Sequence, residues 1–477
     1  MRKRLFRYAL FAALALFAAP AGAQQKPASS DEAQPAPDTG GLPGAPTPSI
    51  ATSFPVIADP FGIRAALAPR GIQYGINYLG DVQGNPVGGV KRGLVYEGRL
   101  ELVVDVDLSR LVGWQDAALH FNGYQIHGTG LSRYFIGNFS PTSNVEALAS
   151  TRLYEAWFEQ KLLDGKLAVR AGQLGADTEF ITSSAAGLFL NGSLGWPQWP
   201  TSDLPSSAAS YPLATPGIRL KTTPDEHWTL LLGLFNGDAA GPGLLDPQKR
   251  NRHGVNFRVT DAPFLIGEAQ YAYNQGKDAM GLAGTAKLGV FNYFGAFDDL
   301  RYTASGLSIG NPTGMGAAAR RRGDLGVYGV LDQQVYRLPG DDPTKGVSIF
   351  VRAVSGPSDR NLIDYYIDGG VNVTGLVPDR PDDAFGAAGI FSHISSSVSG
   401  LDADRVLFSH ATPFAKRDYE AILEVTYQAQ VVPGLSVQPV FQYIKHPGGH
   451  APDPLSPGGL APIRDAQVFG VRLSVKY

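Results

Sequence analysis

The 477-residue chain contains no cysteine, so neither a disulfide framework nor a thiolate metal site can be built from it. Histidine is scarce, with 8 residues, and no H-E-x-x-H or phosphate-binding-loop motif occurs. No catalytic residue, cofactor or metal site is expected. Positive charge is not in excess: 40 Lys and Arg face 43 Asp and Glu, which argues against nucleic acid as a partner. Beyond the extreme N-terminus, no stretch approaches the ~20 consecutive apolar residues of a membrane helix. A chain like this can cross a membrane only as a closed barrel, because only helices and closed barrels satisfy the backbone in lipid.

The N-terminus reads as a secretory leader over residues 1–23. Arg2, Lys3, Arg4 and Arg7 form a basic start, Tyr8 to Ala19 is apolar, and Ala21-Gly22-Ala23 is a cleavage site. The apolar run is too short to span a bilayer. Removing the leader makes the chain more acidic than its formal charge of -3. Residues 24–50 are rich in Pro, Ala, Gly, Ser and Thr and are expected to form a disordered periplasmic tail. Residues 51–477 are expected to form the barrel.

Strand signals are abundant in that span. The last residues, AQVFGVRLSVKY, place Phe469, Val471, Leu473, Val475 and Tyr477 on one parity and Gly470, Arg472, Ser474 and Lys476 on the other. Side chains alternate across a strand, so one face is apolar and the other polar. Tyr96–Leu108, Glu420–Gln430 and Leu435–Ile444 alternate in the same way. An outward apolar face, a polar interior and aromatic girdles are the requirements of an outer-membrane barrel. A mean hydropathy of -0.07 fits such a barrel, because only alternate strand residues meet lipid. The 58 Gly, 20 Tyr and 24 Phe suit many strands, turns and girdles.

Tight connections are expected at Asp164-Gly165, Pro224-Asp225, Asp261-Ala262-Pro263 and Val432-Pro433-Gly434. Long polar stretches alternate with them at Gly128–Thr151, Gly175–Ala214, Asn236–Arg252, Arg301–Gly323, Ser395–Arg417 and Lys445–Arg464. Short turns on one rim and long loops on the other predict an antiparallel, up-and-down transmembrane β-barrel. Seventeen candidate strands can be marked, but such barrels carry even numbers, and counts from the two ends disagree around Phe264–Phe297. Sixteen strands are expected, with eighteen the alternative. Either number leaves an aqueous lumen.

Charged residues on strands must face that lumen, since a charge facing lipid costs ~2–4 kcal/mol at midplane. This predicts pore-lining positions for Glu97, Arg99, Glu101, Glu155, Trp157, Glu159 and Arg170, with Tyr154, Ala156 and Phe158 on the opposite parity. Both charge signs with an indole suit neutral polyols. Carboxylates accept sugar hydroxyls, guanidinium donates to sugar oxygens, and an aromatic face packs on the CH face of a pyranose. A pore for anions would show clustered Arg and Lys instead. The loop Gly175–Ala214 carries Asp177, Glu179, Phe180, Phe189, Trp196, Trp199 and Asp203. Aromatics would be poorly placed in bare solvent, so this loop is expected to fold inward as a constriction.

Several segments resemble the carbohydrate-selective porin (OprB) family across Gly71 to Tyr477. They are LYEAWFEQKLLDGKLAVRAGQL (Leu153–Leu174), FLNGSLGWP with SSAASYPLATPGIRLK (Phe189–Lys221), GVYGVLDQQVYR (Gly326–Arg337) and VPGLSVQPVFQYIKHPGG (Val432–Gly449). The resemblance implies a 16-stranded outer-membrane porin passing glucose and similar small sugars passively. It implies a constriction of Arg and Glu with an aromatic, for which Arg99, Glu155, Trp157 and Arg170 are the best matches. It also implies that the C-terminal aromatics, Phe469 and Tyr477, signal to the barrel-assembly machinery. The expected partners are thus small sugars, outer-membrane lipid and that machinery. A general or organic-acid porin and a barrel enzyme with a triad assembled in space are the alternatives.

Overall fold

The computed structural model describes residues 48–477, apart from 277, 278, 315, 341, 410–415 and 460. The expected leader and nearly all of the expected tail lie outside the described residues. Sixteen strands follow in order: β1 (Ile72–Gly89), β2 (Gly93–Asp107), β3 (Ala117–Gly128), β4 (Ser150–Leu162), β5 (Leu167–Leu174), β6 (Thr215–Thr222), β7 (Trp228–Asn236) and β8 (Pro263–Tyr273). The second half comprises β9 (Gly284–Thr303), β10 (Ala318–Arg337), β11 (Gly346–Ser355), β12 (Ile363–Thr374), β13 (Ala384–Ile394), β14 (Tyr419–Val432), β15 (Leu435–Lys445) and β16 (Arg464–Lys476). Each pairs antiparallel with its sequence neighbours, and β16 returns to β1 to close the barrel. No described helix is long and apolar enough to cross a membrane.

Closure leaves the sheet without an edge, so wall backbone groups bond to one another rather than to lipid. The outward parity is apolar: Leu94, Leu100, Leu102, Leu230, Leu232, Leu288, Val327 and Leu423 are all exposed. Aromatics mark its ends. Trp228 lies directly across from Tyr271 with rings 4.9 Å apart, and Phe441 across from Phe469 at 5.0 Å. The inward parity is polar and largely buried, as at Glu97, Arg219, Glu268, Arg352, Glu420, Glu424 and Gln442.

Turns of two to ten residues line one rim, from 433–434 to 274–283, and the longer loops stand on the other. Two loop-rim connections are short, 90–92 and 356–362. One expected turn is corrected. Asp261-Ala262-Pro263 is the end of the long loop 237–262, not a tight link between adjacent strands. Val255, Phe257 and Val259 alternate with polar residues as a strand does, but they make no ladder and stay exposed in that loop. Only β8 and β9 occupy the stretch where the two counts diverge.

Below the turn rim, residues 50–70 form four short helices rather than barrel wall. Ser53 Oγ donates to the Pro433 carbonyl at 2.8 Å. The Arg64 guanidinium lies 4.1 Å from the Tyr74 ring centre and 4.6 Å from that of Tyr477, and donates to the Tyr74 carbonyl at 2.7 Å. Tyr477 is therefore clasped by the helical segment 50–70.

The closing seam carries a buried ion pair. Asp81 on β1 is directly opposite Arg472 on β16, and the guanidinium binds the carboxylate in bidentate fashion at 2.8 and 2.7 Å. Asp81 is fully buried, so losing its partner leaves an uncompensated charge. Arg472→Ala should cost about 3–5 kcal/mol, whereas joint replacement of Asp81 and Arg472 by Leu should cost less. The check is the temperature at which the folded, fast-migrating band disappears on gels. Equal losses for the single and double variants would show that the pair does not hold the seam.

Candidate functional site

Two long loops fold into the lumen. The loop 175–214 leaves β5, crosses to the far wall and returns to β6. Wall side chains hold it through its backbone. Glu268 on β8 accepts the Ile181 N–H at 2.8 Å, and Glu424 on β14 accepts the Leu190 and Asn191 N–H groups at 2.7 and 2.9 Å. On β10, Asp332 accepts the Ser183 hydroxyl at 2.5 Å. Arg352 on β11, fully buried and paired with Asp368 at 2.6 Å, donates to the carbonyls of Ile181, Ser193, Leu194 and Gly195. Loop carbonyls and amides thus meet charges of the complementary sign.

The loop 129–149, which sequence patterning leaves as an ordinary polar loop, also turns inward. Glu420 on β14 accepts its Phe139 and Ser140 N–H groups at 2.8 and 2.9 Å. The two loops bond to each other, Asn144 N–H to the Leu190 carbonyl at 2.7 Å and Gly192 N–H to the Pro141 carbonyl at 2.8 Å. Together they pack against the wall from β8 round to β14.

A cavity of about 450 Å³ opens against β2–β5 and extends to the turn rim. Asp105, His120, Asn122, Glu155, Trp157, Glu159, Arg170 and Glu179 line it. Its charges form a chain. Arg170 binds Glu159 at 3.0 Å and Glu179 at 3.1 Å, and Arg219 binds the same two carboxylates at 2.8 and 2.6 Å. His120 Nδ1 lies 2.7 Å from Asp105. Glu155 accepts the Gly175 N–H at 2.9 Å, at the root of the crossing loop. Burial raises the Glu179 carboxyl, but Arg170 and Arg219 outweigh it and hold the group below the usual carboxylate range.

The indole of Trp157 is sandwiched. His120 on β3 stacks on it at 4.6 Å and 12°, and the Arg170 guanidinium on β5 lies 3.6 Å from the ring centre. Because β3 and β5 flank β4 on opposite sides, both faces are covered. The ring offers its edge to the cavity, not the face that a pyranose would stack on. It packs between the guanidinium and the imidazole.

Other expected site residues serve different ends. Glu101 accepts from Asn77 and Asn122 at 3.1 and 2.8 Å. Glu97 is buried in the lumen wall. Arg99 is roofed by Tyr124 and Tyr211, 4.6 and 5.1 Å from their ring centres, and does not line the cavity. Within the crossing loop, only Glu179 among the expected residues lines the cavity. Trp196 and Trp199 are buried, the latter 5.1 Å from the Phe291 ring. Asp203 accepts the Leu362 N–H at 2.6 Å, and burial pushes its carboxyl well above the usual range. Asp177 accepts the Tyr211 N–H at 2.8 Å and the Tyr154 hydroxyl.

Tyr154 itself corrects an expectation. A register shift between Asn122 and Gly123 inserts an extra residue into β4, so Tyr154 and Glu155 both point inward and Tyr154 is 2% exposed. Arg219 and His120 escape the sequence reading, although each sits on the polar parity of its strand, and Asp105 is legible there only as one polar residue of Tyr96–Leu108. One further motif needs placing. Gly306-Leu307-Ser308-Ile309-Gly310 has the G-x-S-x-G spacing of a nucleophile elbow. It lies in the rim loop 304–317, and Ser308 Oγ donates to Asp404 at 2.7 Å rather than to a histidine.

Comparison with known proteins bears on the family and the barrel. Residues 91–477 match the family described as carbohydrate-selective porin, OprB family. The chain is 25% identical over 426 residues to Porin B of Pseudomonas aeruginosa, covering 83% of this chain and 87% of that one. It is 21% identical over 446 residues to the putative porin QuiX of Acinetobacter baylyi, covering 88% and 93%. Among solved structures, Pseudomonas putida OprB at high pH superposes with a TM-score of 0.76 at 22% identity, covering 88% of this chain and 97% of that one.

The anchors of the crossing loop make a direct test. Replacing Glu268 and Glu424 together with Leu should free its backbone from the far wall and raise single-channel ion conductance in planar bilayers. Conductance equal to the parent's, with the fold intact on gels, would mean that these carboxylates do not hold the loop.

Proposed function

The chain belongs to the carbohydrate-selective porin, OprB family, and from that premise we propose the route by which sugars pass through it. It is a porin of the Gram-negative outer membrane that conducts carbohydrates through a 16-stranded barrel. The substrates we assign are glucose and similar monosaccharides, moving down their gradient with no reaction catalysed. The exposed apolar belt is the surface for outer-membrane lipid. Phe469, exposed on the outward face of β16, and Tyr477 are the residues for contact with the assembly machinery.

One observation carries the reading. The open cavity is lined by both partners of a salt-bridged network, Arg170 with Glu159 and Glu179, rather than by clustered cations. Paired charges have little net field for a charged solute, yet keep unused donor and acceptor positions for hydroxyls. A volume of about 450 Å³ is within the usual range for small-molecule sites. The mechanism is exchange of water for wall hydrogen bonds, each worth about 0.5–1.5 kcal/mol net. Bonds of that size slow a sugar without trapping it. Trp157 and His120 hold the Arg170 fork in place. Arg99 stands apart, as a support for Tyr124 and Tyr211.

The test is single-channel conductance with glucose titrated against gluconate. Saturable closure by glucose at concentrations where gluconate has little effect is the expected result. A large current indifferent to sugars would leave a general pore, and stronger closure by gluconate an organic-acid pore. Arg170→Ala should weaken the glucose effect by about threefold to tenfold, corresponding to ~1 kcal/mol. Trp157→Ala should weaken it less, and Arg99→Ala should leave it near the parent's.

A further inference from the structure

At the loop rim, away from the conduit, three metal-ligating side chains converge. Asp418 stands immediately before β14. His446 and His450 bracket the turn His446-Pro447-Gly448-Gly449-His450 in the loop 446–463. One ligand atom from each lies within 4.8 Å of the other two. His446 Nδ1 is 3.0 Å from one Asp418 oxygen, and His450 Nδ1 is 3.8 Å from the other. Ligands about 2.0 Å from a tetrahedral ion stand ~3.3 Å apart, between those two distances. The imidazoles are stacked, with centres 4.0 Å apart and planes at 5°. Both can aim at one ion by tilting about their last side-chain torsion, which is soft in histidine.

The backbone holds these ligands independently of any ion. His446, Gly448, Gly449 and His450 all have left-handed φ, at 52°, 67°, 68° and 69°. A Cβ at Gly449 would come within 2.5 Å of Ile394. His446 N–H donates to Asp465 at 2.9 Å, Gly448 N–H to Glu420 at 2.8 Å, and His450 N–H to the His446 carbonyl at 3.0 Å. The Asp418 and His450 side chains are 42% and 31% exposed, so an ion and a water ligand can reach them from solvent.

We propose that Asp418, His446 and His450 form a site for a divalent transition metal, with zinc the best fit and water in the fourth position. Two imidazoles and one carboxylate suit zinc, copper or nickel rather than calcium or magnesium, which take all-oxygen shells. The ion exchanges the His446–Asp418 hydrogen bond for two metal bonds, and each histidine binds as neutral imidazole. It ties the loop 446–463 to the start of β14. Glu420, two residues further on, already anchors the infolded loop 129–149. The site therefore joins parts of the channel mouth that meet at one place on the wall.

The full chain without a polyhistidine tag, folded in detergent and stripped with chelator, is titrated with zinc chloride against a chromophoric competitor. One saturable equivalent per chain is expected. His446→Ala and His450→Ala should each weaken binding by at least the roughly tenfold that loss of an outer-shell partner costs. Cobalt should give the intense visible absorption of a tetrahedral site in the parent and lose it in both variants. His450→Gln changes a half-exposed side chain and decides the matter if His446→Ala does not fold. Absence of saturable zinc uptake by the parent, or undiminished uptake when both histidines are replaced, overturns the proposal.

Discussion

Buried acidic side chains on the barrel wall, accepting the backbone amides of loops that turn inward, are the interaction on which the shape of the lumen depends. A 16-stranded wall encloses far more space than one sugar needs. Narrowing it requires irregular backbone in a confined interior, where every unpaired amide is costly. Glu268, Glu420, Glu424 and Glu155 meet that need from β8, β14 and β4. Arg352 does the converse for carbonyls. Polar wall residues therefore serve two ends, holding loops and facing the cavity, and Glu155 does both.

Those two uses explain what could and could not be read from the sequence. Strand parity was legible because lipid enforces it, since a charge on the wrong parity meets hydrocarbon. Glu155, Glu159 and Arg170 line one cavity. The inward path of the loop 175–214 was legible from its aromatics, of which Trp199 and Phe180 are almost fully buried. The loop 129–149 gave no such signal. Ser140, Thr142 and Ser143 are small and polar, and their burial depends on partners such as Glu420, which no local pattern links to them. Alternation puts Tyr154 on the wrong face because a single bulge reverses parity, and a bulge is a property of two strands rather than one. The covered faces of Trp157 were invisible for a similar reason, since they depend on what β3 and β5 place beside it.

Pairing within the cavity also bears on selectivity. An isolated guanidinium would attract anions, and an isolated carboxylate would attract cations. Joined as Arg170, Arg219, Glu159 and Glu179 are joined, they cancel at a distance while keeping local direction. A neutral solute with many hydroxyls responds to local direction alone. The rigidity of the network matters as much as its composition, because each charge is already oriented before a solute arrives.

The seam between β1 and β16 has a consequence for how the molecule is made. Asp81 and Arg472 are 391 positions apart, and nearly every residue of the barrel is translated between them. Contacts so distant close a very large loop and form late. Until then β1 carries a row of open amides and carbonyls along one side, with lipid as the alternative neighbour. The nascent sheet is thus an open ribbon that cannot rest in a bilayer, and the final strand works less as one more stave than as the latch that lets the other fifteen stay in lipid.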